Sequence, residues 1–291
     1  MNLLIICIAL LLARYTIIKP ILGFEGATSS LSDALYLIIV LSTLFIAAGG
    51  YIINDYFDTG IDKINKPDKN LIGVKITRKS ALLVYVFMTL AGLAGSFWFG
   101  HVADTRYAGL IFVLCAGLLY FYSASYKKMF LVGNLTISLL TALTIGLSIL
   151  FDKNAWSSEP IYTLIIAYSL FAFTLTLVRE IIKDCEDAQG DMAYHSSTLP
   201  IVTGLKTARW TASLLCILTF AAILAIQIAQ VQWEDKISFL YVTIAIQLPL
   251  LFLAFRNIKA KTKNDDHANS IISKIIMVTG LFSMLIFYIS F

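Results

Sequence analysis

Nine stretches of roughly twenty residues, nearly all apolar, dominate this chain: about 3–22, 31–53, 79–99, 106–122, 131–150, 161–182, 208–230, 237–255 and 271–290. A helix of that length crosses the hydrocarbon core of a bilayer, where every backbone polar group must be satisfied within the segment. Of the 291 residues, 59% are apolar and 14% charged, against about a quarter charged in soluble domains. The expectation is an all-α, polytopic membrane protein with about nine transmembrane helices, forming a single domain over 1–291. The first span has no basic residue ahead of it and no small-residue cleavage site, so it reads as a helix and not as a signal peptide.

Lysine and arginine set the expected orientation. The loops after spans two, four, six and eight carry sixteen of the 22 basic residues, and the loops on the opposite side carry four. The positive-inside rule then places the N-terminus and the even-numbered connections in the cytoplasm, the cell inner membrane being the site in a bacterium. The net charge of +4 is mostly this bias. A basic face suits anionic lipid headgroups and calls for no nucleic acid, and no obligate protein partner is evident. The four cysteines, Cys7, Cys115, Cys185 and Cys216, are spread singly without a CxxC pair. That pattern points to neither a disulfide framework nor a zinc site, and inert packing is expected for the three inside spans.

The chemistry is carried by two connections. After span two the chain reads NDYFDTGID, and after span six REIIKDCEDAQGD. Asp55, Asp58 and Asp62 are spaced three then four; Asp184, Asp187 and Asp191 repeat that spacing 129 residues later. Recurrence at matching topological places looks like duplication of a helical unit. On a helix, residues three and four apart share a face, so each triplet repels itself unless a cation joins it. Mg²⁺ suits such hard oxygens: it takes one or two carboxylates and completes its shell with water and substrate phosphate. Two platforms facing each other would hold metal around one diphosphate. Gly60 and Gly190, each between a second and third aspartate, are helix breakers, an arrangement that would move the third carboxylate onto a loop. The competing reading is a set of solvated acids neutralised by nearby lysines; the matched repetition favours the metal.

Cations surround both motifs. Lys66, Lys69, Lys75 and Arg78 follow the first, Arg179 and Lys183 precede the second, and Lys127 and Lys128 lie after span four. Positive groups placed where charge develops on a departing diphosphate stabilise the transition state. Positive-inside residues would look the same, but Arg179 and Lys183 adjoin the second triplet on one helical face. Arg14, halfway along span one, is an intramembrane charge, read either as functional or as a snorkelling side chain on a tilted helix. Glu180, one turn before Asp184, is placed to orient the second platform or to pair with Arg179. Tyrosines and phenylalanines at the same helix ends, Tyr51, Tyr56, Tyr120 and Tyr122 among them, can face a cationic intermediate or form the ordinary interfacial belt.

These residues resemble the UbiA superfamily of intramembrane prenyltransferases. The family motif NDxxDxxxD matches Asn54, Asp55, Asp58 and Asp62, and its second aspartate motif matches Asp184, Asp187 and Asp191. YSASYKK after span four and STLPIVTG after the second motif extend the likeness over nearly the whole chain, closest to the digeranylgeranylglyceryl phosphate synthase-like branch. The resemblance implies a central intramembrane cavity capped by cytoplasmic Asp-rich loops after helices 2 and 6. It implies Mg²⁺-dependent transfer of an isoprenyl group from an isoprenyl diphosphate to a lipophilic acceptor, here a geranylgeranylglyceryl phosphate-type hydroxyl. The alternative acceptor is an aromatic ring of quinone biosynthesis, 4-hydroxybenzoate or dihydroxynaphthoate. It also implies roles: Asp58, Asp187, Tyr122 and Lys127 in catalysis, the six aspartates on metal, and Asn54, Lys66, Lys69, Lys75, Arg78, Arg179, Lys183 and Asn134 on substrate. Asn134 is expected either to line the cavity or only to cap its helix.

Two departures from the family pattern stand out. Asn2 follows Met1 directly, where relatives carry a few residues including an arginine, and Lys69 stands where arginine is common, replacing a bidentate phosphate donor by a point charge. A cation-coupled transporter, the distant alternative, would place acids at the bilayer midplane; here the acids lie at helix ends and in loops.

Overall fold

The structure is a computed structural model that describes residues 3–61, 72–230 and 235–290. Among these residues nine helices are long and apolar enough to cross a membrane. In chain order they are α1 (Leu3–Phe24), α2 (Asp33–Asp58), α3 (Arg78–Val102), α4 (Tyr107–Ala124), α5 (Val132–Leu150), α6 (Glu159–Ala193), α7 (Leu205–Gln230), α8 (Lys236–Lys259) and α9 (Lys263–Ser290). The protein is an integral, multi-pass membrane protein.

Local chemistry sets the helix starts. The Ser32 hydroxyl accepts from the Leu35 amide to cap α2, and Thr77 accepts from Ser80 to cap α3. Pro160 occupies the first turn of α6, where its missing N–H costs nothing. Small residues then let helices approach. A Cβ added at Gly92 would lie 2.9 Å from the Ser42 carbonyl oxygen, and one at Gly49 would lie 2.8 Å from Thr89 Oγ1, so α2 and α3 cross in close contact.

Two apolar clusters flank the middle of the bundle. One joins α6, α7, α8 and α9 through residues such as Val178, Ala212, Leu250 and Ile276. The other joins α2, α3, α4 and α5 around Ile46, Phe99, Phe112 and Leu147. Helices α1, α2, α4, α5, α6 and α9 ring the space between, while α3, α7 and α8 lie outside it.

The second aspartate motif is not a loop. Helix α6 runs unbroken through Gly190 to Ala193, 35 residues in all, about 52 Å at 1.5 Å per residue, against about 30 Å of hydrocarbon. Asp184, Asp187 and Asp191 therefore all stand on helix, because a single glycine weakens a long, packed helix without ending it. The first motif behaves differently. Helix α2 ends at Asp58 and a turn follows through residue 61. Asp62, Lys66 and Lys69 lie outside the described residues.

Arg14 is neither at the site nor snorkelling. It is buried in a π-helical turn of α1. Its guanidinium donates to Asp33 Oδ1 at 2.9 Å and to the Leu31 carbonyl at 2.7 Å, at the end of the bundle opposite the aspartate motifs. Lys19 adds a 2.7 Å bond to the same carboxylate, so the charge is matched within the protein and ties the loop after α1 to α2.

Candidate functional site

A cavity of about 560 Å³ lies inside the ring of six helices. Its body is apolar, walled by residues such as Ile46, Phe112, Leu119, Leu140 and Leu147. Its other end is polar: Tyr51, Asn54, Tyr122, Arg179, Glu180, Lys183 and Lys274 reach it.

The first motif is assembled across two elements. The Asn54 side-chain amide donates to Asp58 Oδ2 at 2.8 Å, one helical turn along α2. Lys127, from the turn Tyr126–Lys128 after α4, pairs with Asp58 Oδ1 and reaches Asn54 Oδ1 at 3.3 Å. Gly133 makes this possible, since a Cβ there would sit 2.6 Å from the Lys127 Cα and 2.9 Å from the Tyr126 carbonyl oxygen. Only a bare backbone lets that turn close onto the start of α5.

The second motif continues the polar stripe of α6. Thr176, Glu180 and Lys183 face the cavity, and Asp184, Asp187 and Asp191 follow at helical spacing on the same side. Asn134 Nδ2 donates to Asp184 Oδ2 at 2.7 Å. This is a third outcome for Asn134: it sits in the first turn of α5, buried, with its side chain turned to the second carboxylate platform and away from both capping and the cavity wall. Thr198 donates to Asp191 Oδ2 at 3.1 Å. Glu180 is held by Arg179 at 3.0 Å and Lys183 at 3.5 Å. His267, on α9, meets Glu186 at 2.9 Å.

The two platforms share one end of the cavity. A Cβ at Gly60, just past α2, would meet the Tyr194 hydroxyl, just past α6, at 2.6 Å. The Ser197 amide donates to the Lys128 carbonyl at 2.7 Å, linking the chain after α6 to the turn that carries Lys127.

The structure brings together Asn54, Asp58, Tyr122, Lys127, Arg179 and Lys183, with Asn134 and the second aspartates immediately behind. It does not bring every expected cation in. Lys75 is exposed in the turn 72–76, and Arg78 packs over the Tyr56 ring, 4.5 Å from its centroid. Asp55 is exposed beside Asn54. Cys115, expected as inert packing, is in the cavity wall. Lys274 carries no motif, and spacing does not find it. Its one signal in the sequence is a charge four residues into an apolar span.

The donor set fits Mg²⁺. Among the described residues no three acidic, histidine or cysteine side chains form a closed metal cage. Closed cages are not what Mg²⁺ uses, because it shares its shell between one or two carboxylates, water and substrate phosphate. Asp184 and Asp191 each have one oxygen held by a neighbour. For each, no described hydrogen bond reaches the second oxygen, so a pre-oriented acceptor remains.

The UbiA prenyltransferase family model matches residues 3–278. A digeranylgeranylglyceryl phosphate synthase of Methanosphaera stadtmanae is 33% identical over 258 residues, covering 87% of this chain and 86% of that protein. In a solved structure concerned with digeranylgeranylglyceryl phosphate synthase, the fold agrees at a TM-score of 0.68 with 24% identity, over 98% of this chain and 94% of that one. A UbiA homologue from Archaeoglobus fulgidus, solved with DMAPP and Mg²⁺ bound, agrees at 0.62 with 17% identity, over 97% and 96%. With a family match over nearly its whole length, on a fold of nine helices that open a polar-ended cavity beneath two aspartate motifs, this chain belongs to the UbiA prenyltransferase family.

Proposed function

We propose that the protein transfers an isoprenyl group from an isoprenyl diphosphate to the free hydroxyl of a geranylgeranylglyceryl phosphate-type lipid, using Mg²⁺, at the cytoplasmic end of the cavity. The observation that carries this reading is the position of Asp58 and Asp184 beside the polar end of a cavity whose walls suit a hydrocarbon chain. The named relative, a digeranylgeranylglyceryl phosphate synthase matched over 87% of this chain, supports that choice of acceptor.

In this reaction the allylic C–O bond breaks and both its electrons leave with the diphosphate. The acceptor oxygen then bonds to the allylic carbon and gives up its proton, forming an ether. Bound Mg²⁺ supplies positive charge to the leaving diphosphate. The chain's own residues do the rest. Lys127 and Asn54 orient Asp58, and Asn134 and Thr198 orient Asp184 and Asp191. Arg179 and Lys183 present positive charge toward the anionic substrate. The apolar wall keeps water from the allylic cation, which water would otherwise quench, and the Tyr122 ring borders the cavity where that charge appears.

Diphosphate release from geranylgeranyl diphosphate tests the reading. Purified protein is given Mg²⁺ with geranylgeranylglyceryl phosphate, with 4-hydroxybenzoate, or with no acceptor. Release stimulated by the glycerophosphate lipid and abolished by EDTA is expected. Stimulation by the aromatic acid instead would move the assignment to quinone biosynthesis.

A further inference from the structure

The cavity contains more positive charge than the diphosphate motifs account for. Arg179, Lys183 and Lys274 all line it, against one acid, Glu180. Glu180 is shared by Arg179 and Lys183, and no described side chain pairs with Lys274. A lysine inside a membrane helix is costly unless it snorkels or meets an anion. Lys274 does not stand on the most lipid-exposed stripe of α9, which carries Ile271, Ile275 and Phe282. It shares the cavity-facing side with Met277, three residues on.

A second observation points to the same place. Thr176, also in the cavity wall, is 4% exposed, and its hydroxyl has no hydrogen-bond partner. The buried Arg179 Nε is likewise without one. Buried donors are satisfied as a rule, and three unsatisfied or unpaired donors on facing helices describe an anion's place. Thr176 precedes Asp184 by eight residues of helix, about 12 Å deeper along α6, so it is set apart from the carboxylate platforms at the mouth.

We propose that Lys274, Arg179 and Thr176 form a subsite for the phosphomonoester headgroup of the acceptor lipid, distinct from the diphosphate site at Asp58 and Asp184. This rests on the reading of the protein as a prenyltransferase acting on a glycerophosphate lipid. In a glycerol phosphate alkylated at its far end, the free hydroxyl is on the carbon next to the phosphate-bearing one. Gripping the phosphate from α6 and α9 therefore holds that hydroxyl close to where the allylic carbon is released. A neutral aromatic acceptor has nothing to offer Lys274, which makes this residue a determinant of acceptor class.

The test separates binding from turnover. Wild-type protein, Lys274→Gln and Lys274→Arg are placed in nanodiscs, and the affinity of geranylgeranylglyceryl phosphate and of its dephosphorylated alcohol is measured without donor or metal. Wild type should prefer the phosphate by about ten-fold or more, the worth of one charge-assisted hydrogen bond. Lys274→Gln should lose that preference, and Lys274→Arg should keep most of it. In steady-state assays Lys274→Gln should raise the acceptor KM about ten-fold and leave the donor KM unchanged. Should Lys274→Gln fail to fold, Thr176→Val reports instead, with a several-fold weaker phosphate lipid and an unaltered alcohol. Phosphate binding unaffected by Lys274→Gln, or a change in donor KM alone, would overturn the proposal. Lys274-dependent binding in a protein that transfers no prenyl group would leave the subsite standing and remove the proposed reaction.

Discussion

Lys127 and Asp58 form an ion pair that joins the turn after α4 to the last residue of α2, and the lysine also reaches Asn54. The pair answers the problem posed by acids at helical spacing. Like charges three and four residues apart destabilise a helix, and here a cation brought in by tertiary packing takes one of them in hand before any ligand arrives. Both partners are mostly shielded, at 14% and 18% side-chain exposure, so the attraction is stronger than between surface groups. The same contact places a positive group where a diphosphate would meet the first motif.

Replacing Lys127 by Met should lower kcat/KM by about 10²-fold or more, the usual cost of losing one preorganised charge at a transition state. Circular dichroism should show unchanged helix content, since the turn is held independently by Gly133. Activity within about three-fold of wild type would remove Lys127 from the machinery.

Asn134→Leu leaves the Asp184 carboxylate without its donor. Partners that orient metal ligands typically carry about 10–100-fold in metal affinity. The expected result is therefore a Mg²⁺ activation curve displaced to higher concentration, with the maximal rate largely restored at saturation. A flat response to added Mg²⁺ would place Asn134 elsewhere in the reaction.

Gly133→Ala puts a methyl group 2.6 Å from the Lys127 Cα. Backbone cannot swing aside as a side-chain tip can, so the turn must shift. The cost should be about 1–3 kcal/mol, as for overpacking elsewhere. A lower thermal midpoint should accompany a fall in activity similar to that of Lys127→Met. Normal activity would show that the turn has room to move.

Arg209 and Asp266 form a bidentate pair between α7 and α9, at 2.9 and 2.6 Å, with Arg209 also donating to the Ala260 carbonyl. No residue of this group lines the cavity. Asp266→Asn should therefore cost about 3 kcal/mol of stability, as when a buried pair loses one member, and leave both KM values unchanged. A shifted substrate KM would connect this pair to the site.

Much of this protein is written in local pattern. Apolar blocks of bilayer length specify nine crossings because a backbone in hydrocarbon has to bond within its own segment. The repeated aspartate spacing specifies two platforms because side chains three and four apart share a helical face. Both are properties of neighbours along the chain. What packing decided is of another kind. Whether Gly190 ends α6 depended on the contacts that hold the helix beyond it, and the helix runs on to Ala193. Arg14, an isolated charge in sequence, acquired its meaning from Asp33 and the Leu31 carbonyl. Asn134 found Asp184, 50 residues away, and Lys274 came to the cavity wall opposite Thr176 with no motif to announce it. Chain-local periodicity carries the elements and their ligand faces. The partner of a buried charge is chosen by residues distant in sequence, and only the assembled helices bring them within reach.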